Sequence, residues 1–253
     1  MITVCARGIG PILGGMDRSG EPLEGGLRGV RAALGRLVVD LRLREREVPA
    51  GLRTLTGQLR DGPAELRTRR FGDDEWTLTL AEIAVVEDGS LRAVTAIGSR
   101  HGSLAPILGV DVVAIGGTLN LIAVDLGPTD DDVWAEEAAP VLAELHRATA
   151  GRVVARRWPA FALEVFSPGA LLCGAHRGQE TEVLAAVAAF VLAATPVLAA
   201  ARPAAPARIS AAEQRRRRWH LAERSNRREH NALARMFGEA PASAYIDYLF
   251  PAE

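Results

Sequence analysis

The chain has 253 residues, 48% of them apolar and 24% charged, with a net charge of −1. That balance describes a globular chain long enough to bury a core, and it excludes a disordered polymer and a basic nucleic-acid binder. Two cysteines, Cys5 and Cys173, are too few for a disulfide scaffold or a four-cysteine zinc site. All 30 basic residues are arginine. Beside the abundant alanine and glycine this is the mark of a GC-rich genome, so where the arginines sit matters more than how many there are.

The first 20 residues are glycine-rich with little apolar periodicity and read as a loose arm, ahead of a single domain over 21–253. No charged segment followed by a long apolar run opens the chain, so no export signal is expected. Leu27, Val30, Leu34 and Leu37 recur at helical spacing and predict a helix over 26–43, closed by Pro49 and Gly51. From about residue 52 the period becomes two. Strands are predicted over 57–60, 64–71, 76–86, 91–97, 107–115 and 119–126. The turns at Asp61-Gly62-Pro63, at 87–90 and at Gly116-Gly117 are short, and short connections join antiparallel neighbours.

After Asp125 helices dominate. Asp130 can cap a helix over 133–148. A strand is expected over 165–173, an alanine-rich helix over 180–197, and one long arginine-rich helix from Ser210 to Phe237, stopped by Gly238. A short helix over 242–250 ends the chain. The stretch 183–201 has about the length of a membrane span, but its weakly apolar alanines, Pro196 and the preceding Glu180 and Glu182 favour a buried helix. The protein is then expected to be cytoplasmic, with no membrane or nucleic-acid partner. An antiparallel sheet with helices on both faces makes an α+β, three-layer α/β/α sandwich.

No phosphate loop, dinucleotide fingerprint, zinc-protease or nucleophile-elbow motif occurs, and the five histidines have no ligand spacing with one another. What stands out is acid inside strands: Glu82, Asp111 and Asp125. Aspartate is depleted in strands, and a buried carboxyl is costly as an anion, so such a group tends to hold a proton that it can donate. Thr95 and His101 lie on the preceding strand and loop. An acid, a hydroxyl and an imidazole on one sheet face, under an alanine-rich helix, would line a flat pocket suited to a planar organic ligand. The arginine-rich helix is the other candidate. From Arg208 to Arg235 nine arginines face three acids, and the run Arg215, Arg216, Arg217 and Arg218 could dock an acidic partner.

Four segments in chain order carry a resemblance. Pro106, Gly109 and Asp111 fit a P-x-x-G-x-D strand. Asp125, Leu126 and Pro128 fit a strand ending in D-L-x-P. Phe166 and Ser167, followed by Leu171, fit an F-S strand. Asn226, then Phe237-Gly238, then Tyr245, Leu249 and Phe250, fit a closing helical region. Together these resemble the ferredoxin-dependent bilin reductases. The resemblance implies an α/β/α sandwich, an open-chain tetrapyrrole substrate (most often biliverdin), no bound cofactor, and single electrons from reduced ferredoxin followed by protonation from side chains. It puts Asp111 at the pyrrole nitrogens, and Glu82 where some members have a pocket carboxylate. Thr95 falls near the histidine of members that make phycocyanobilin. Asn226 is followed by Arg227 where many members have Asp.

The site expected from sequence is therefore Asp111 as central acid, with Glu82 and His101 relaying protons. Thr95 and Asn226 are expected to touch substrate and Arg156 or Arg157 to hold its propionates. Arg215 to Arg218 would dock ferredoxin. A reductase of a chlorophyll catabolite and a tetrapyrrole carrier without catalysis are the alternatives.

Overall fold

Helix α1 (Gly20–Asp40) exists because Leu23, Leu27, Val30, Leu34 and Leu37 fall on one stripe, and all five are buried. Full burial of each leucine is worth roughly 1.5–3 kcal/mol. A computed structural model of the chain describes residues 20–59, 62–85, 90–200 and 202–251. The expected arm up to residue 19, Cys5, Asp61 and the turn residues 87–89 lie outside the described residues.

After α1 come β1 (Arg44–Arg46), a helical turn α2 (Ala50–Arg53), and the strands β2 (Thr54–Leu59), β3 (Gly62–Gly72), β4 (Trp76–Val85), β5 (Leu91–Arg100), β6 (Ile107–Ile115) and β7 (Thr118–Gly127). The chain continues through α3 (Asp131–Val133), a π-helical turn (Trp134–Ala138), α4 (Ala139–Thr149), β8 (Val153–Ala155), α5 (Ala162–Val165) and β9 (Leu171–Ala175). It closes with α6 (Glu180–Ala199), α7 (Pro206–Arg224), α8 (Arg227–Phe237) and α9 (Glu239–Leu249).

The strands form one antiparallel sheet in the order β1-β3-β4-β5-β6-β7-β9-β8, with β2 also paired to β3. The β6–β7 hairpin turns at Gly116 and Gly117, with φ of 57° and 75°. Two successive residues at positive φ match the right-handed twist of the strands they join, and glycine adopts them without steric cost.

Because strand side chains alternate, each strand feeds two cores. Leu78, Val94, Ala96, Leu108, Val110, Val112, Ile122 and Val124 pack with α1, α4 and α6. Ala81, Ile83, Ala93, Ile97, Ile107, Val113 and Leu121 pack with α7, α8 and α9. The expected three-layer α+β sandwich is the observed architecture. Helix α6, although long and apolar enough to cross a membrane, buries Val183, Leu184, Val187 and Phe190 in the first core, beside α1.

Two expected elements differ. The single helix over 210–237 is two. Asn226 interrupts it, its side chain accepting from the Glu229 backbone N–H while its amide reaches the Glu229 carboxylate. This reciprocal cap starts a new helix. The strand expected over 165–173 begins only at Leu171, because Ser167 is held in a loop by Asp125.

Candidate active site

Antiparallel register sets residues side by side across a sheet. Thr68, Ala81, Thr95, Asp111 and Ala123 form one such row over β3 to β7, facing the C-terminal helices. The next row is Arg70, Thr79, Ile97, Gly109 and Asp125. Apart from Ile97, these side chains are small or polar where a core would normally hold leucine or valine. A Cβ added at Gly109, between the two aspartates on the same face, would meet nothing within 4 Å among the described residues.

Asp111 is completely buried, and the Thr95 hydroxyl donates to its Oδ1 at 2.9 Å. Asp125, also buried, accepts from the Ser167 backbone N–H at 2.9 Å and from the Ser167 hydroxyl. Burial pushes the Asp125 carboxyl up to about 7, against the pull of those hydrogen bonds. The helices bring two more acids to this face. On α7 the buried residues Ala212, Arg216, Trp219 and Glu223 repeat at helical spacing, which makes Glu223 part of the packed stripe. Glu223 is 0% exposed and neither of its oxygens has a hydrogen-bond partner among the described residues. Burial pushes it up to about 8, and the carboxyls of Glu229, Asp111 and Asp125 add to the shift. Glu229 is buried in the first turn of α8, beside its cap Asn226. On α9 the Tyr245 phenol is buried opposite Thr68, and burial raises it above its ordinary range.

Beside the second row a cavity of about 300 Å³ opens between the sheet and α7 and α9. Arg70, Thr79, Ser99, His101, Arg217 and His220 are among the residues that line it. Arg70 stacks on the Tyr248 ring, 5.5 Å from its centroid. His220 is packed between Trp219 and Phe250, and burial pushes its imidazole down to about 4, so it is neutral at physiological pH.

The sequence-derived candidates divide. Asp111 and Thr95 come together as expected. Glu82 does not join them. Its register partner is Val94, one residue off Thr95, so it points to the opposite face, where it is 48% exposed and bonds Arg31 Nε at 2.7 Å. A displacement of one residue along a strand reverses the face. His101 shares the face of Asp111 but not its neighbourhood. It lies six residues beyond Thr95, and at a rise of about 3.3 Å per residue this sets it more than roughly 15 Å away. There it sits at the cavity rim, its Nδ1 3.5 Å from Glu213. Asn226 is buried with its side chain engaged in the α8 cap. Arg156 and Arg157 are exposed just after β8, at the other edge of the sheet from β3 and β4, and Arg156 donates to the Asn120 carbonyl at 3.1 Å.

The arginine run is split by the helix period. Arg215 pairs with Asp131 at 2.6 Å. Arg216 is 2% exposed and donates to the carbonyls of Ser103 and Ala105 and to Glu213. Only Arg217 and Arg218 face outward. As a docking surface the run is thus two residues, not four.

Sequence reasoning gave no site role to Glu223, Glu229 or His220, nor to Ser167 and Tyr245, which entered only as part of the family resemblance. Glu223 left a usable signal, an acid that follows Arg216 and Trp219 at i, i+3 and i+7 on one helical stripe.

A family model described as ferredoxin-dependent bilin reductase matches residues 33–251. By structure the chain is similar to phytochromobilin synthase from tomato, crystallised in complex with biliverdin, with a TM-score of 0.68 and 15% identity over 89% of this chain and 83% of that one. No curated protein matches the chain by sequence. The antiparallel sandwich, the row of small residues around a buried aspartate and the family match agree: the chain belongs to the ferredoxin-dependent bilin reductases, oxidoreductases that reduce a bilin with electrons from ferredoxin.

Proposed function

We propose that this chain reduces biliverdin, held flat between the sheet and helices α7 to α9, with Asp111 delivering a proton to the ring system. The observation that carries this reading is the buried Thr95–Asp111 pair, set in a row of small residues. A large planar molecule needs a wide face without bulky side chains, and Ala81, Gly109 and Ala123 supply one. The solved relative holds biliverdin, which supports the choice among bilins.

Each electron that enters such a ligand raises its basicity, and a positioned carboxylic acid answers by transferring its proton. The Thr95 hydroxyl fixes one oxygen of Asp111 and so orients the other. The ligand's two propionates need cations. Arg70 and Arg217, which line the cavity wall, would serve them in this reading, whereas Arg156 and Arg157 sit at the far edge. Bidentate contact by arginine suits a carboxylate. Electrons arrive from reduced ferredoxin docked outside the α7 arginines.

The test is anaerobic incubation of the protein with biliverdin, ferredoxin and a reducing system, followed by absorbance and chromatography of the products. Consumption of biliverdin that requires both the protein and ferredoxin is expected. A shifted bilin spectrum without consumption would overturn the reading.

A further inference from the structure

Reducing one carbon–carbon double bond of a bilin takes two electrons and two protons. Two reduced ferredoxins supply the electrons, one each. Asp111 can release one proton per turnover, so the second needs another source on the same face. The Thr95 hydroxyl does not titrate near neutrality. Asp125 has both carboxyl oxygens engaged by Ser167. Glu229 is tied to Asn226. Glu82 lies on the opposite face, and His101 is at the cavity rim.

Glu223 remains. It is wholly buried, both its oxygens lack a hydrogen-bond partner among the described residues, and it shares the inward stripe of α7 with Trp219, whose Nε1 lies 3.6 Å from a Cβ built on Gly127 at the end of β7. A buried carboxyl left without partners is a large cost that native structures rarely carry without a use. A neutral carboxyl keeps an O–H to donate, and the pyrrole and lactam edges of a bilin are the groups that would meet it.

We propose that Glu223 is the second proton donor of the bilin site. The inference rests on the bilin-reductase reading above. In each reduction the Asp111 O–H breaks to give one proton, the Glu223 O–H breaks to give the other, and both resulting carboxylates regain protons from water. Among the described residues, the charged groups that act on Glu223 are Glu229 on α8, Asp111 on β6 and Asp125 on β7, acids that oppose its ionisation. That arrangement favours reprotonation between turnovers.

The test compares wild type with Glu223→Gln and Glu223→Asp. Glu223→Gln is expected to bind biliverdin with unchanged affinity. Its turnover should fall by about 100-fold or more, the scale of a lost general acid, with a one-electron-reduced bilin radical accumulating in the paramagnetic resonance spectrum. Glu223→Asp should recover part of the rate. A second readout needs no turnover: the infrared carbonyl stretch of a neutral carboxylic acid should be present in the bilin-bound wild type and lose one component in Glu223→Gln. Turnover of Glu223→Gln equal to wild type would overturn the proposal, as would an unchanged carbonyl band. If wild type binds biliverdin but does not reduce it, the functional reading fails, and the infrared comparison still decides whether Glu223 holds a proton.

Discussion

Thr95 and Asp111 stand directly opposite each other on adjacent antiparallel strands, and the Thr95 hydroxyl donates to Asp111 Oδ1 at 2.9 Å inside the protein. The contact couples a residue that cannot titrate near neutrality to one that can. Asp111→Asn keeps the shape and removes the transferable proton. It should leave bilin affinity intact and lower turnover by about 10²–10⁴. Thr95→Val leaves Asp111 with one fewer donor, costing about 1–3 kcal/mol of local stabilisation, and should slow turnover less. Steady-state rates beside spectral binding titrations check both, and a normally active Asp111→Asn would remove this residue from the mechanism.

Glu82 faces helix α1, so Glu82→Gln should leave turnover and product unchanged. The lost ion pair with Arg31 is partly exposed and worth no more than about 1 kcal/mol. A slow Glu82→Gln variant with normal stability would mean that the two sheet faces are coupled.

The arginine run should separate by position. Arg216→Ala leaves two buried carbonyls without their donor and breaks the ion pair with Glu213, so it should destabilise the fold by roughly 3 kcal/mol. Neutralising Arg218, which is exposed and does not line the cavity, should leave stability alone and raise the Michaelis constant for ferredoxin, with a weaker dependence on salt. Denaturant titration and ferredoxin-dependent rates at two ionic strengths distinguish them.

Arg70→Ala should weaken binding of biliverdin but not of its dimethyl ester, because only the free propionates offer it a carboxylate. Equal weakening for acid and ester would assign Arg70 a packing role against Tyr248.

Stability should fall as pH rises through the neutral range. Asp125 and Glu223 hold their protons up to about 7 and about 8 in the folded chain, whereas unfolded carboxyls release them near about 4. Their contribution is complete below the unfolded value and is lost as pH rises through the folded ones. His220, pushed down to about 4 from 6.5, works in reverse: its contribution is complete above 6.5 and is lost as pH falls towards 4. Between 6.5 and 8 only the carboxyls act, and the loss should be roughly 1 kcal/mol or more per pH unit. Urea unfolding at the two ends of that window should show it, and Glu223→Gln should flatten the slope. A profile identical in variant and wild type would contradict the burial of Glu223.

The strands from β3 to β7 were legible because their cause is local. Side chains at every second residue choose a face, and Gly116-Gly117 permits a hairpin that few other pairs would. The importance of Asp111 could be read the same way, as an acid inside an apolar strand. The α7–α8 break was also written locally, in Asn226 and Glu229 three residues apart. Yet the continuous helical periodicity from Ser210 onward overrode that signal. The face on which Glu82 lies could not be read, because it depends on pairing Glu82 with Val94 and not with Thr95, a register set by contacts across the whole sheet. Nor could the burial of Arg216, whose partners are carbonyls more than a hundred residues earlier in the chain. Glu223 comes within the field of Asp111 and Asp125 only because α7 docks on that sheet face. Periodicity records what each residue asks of its neighbours in sequence, whereas convergence of distant acids follows from how layers pack, an energy shared among many side chains and held by no single motif.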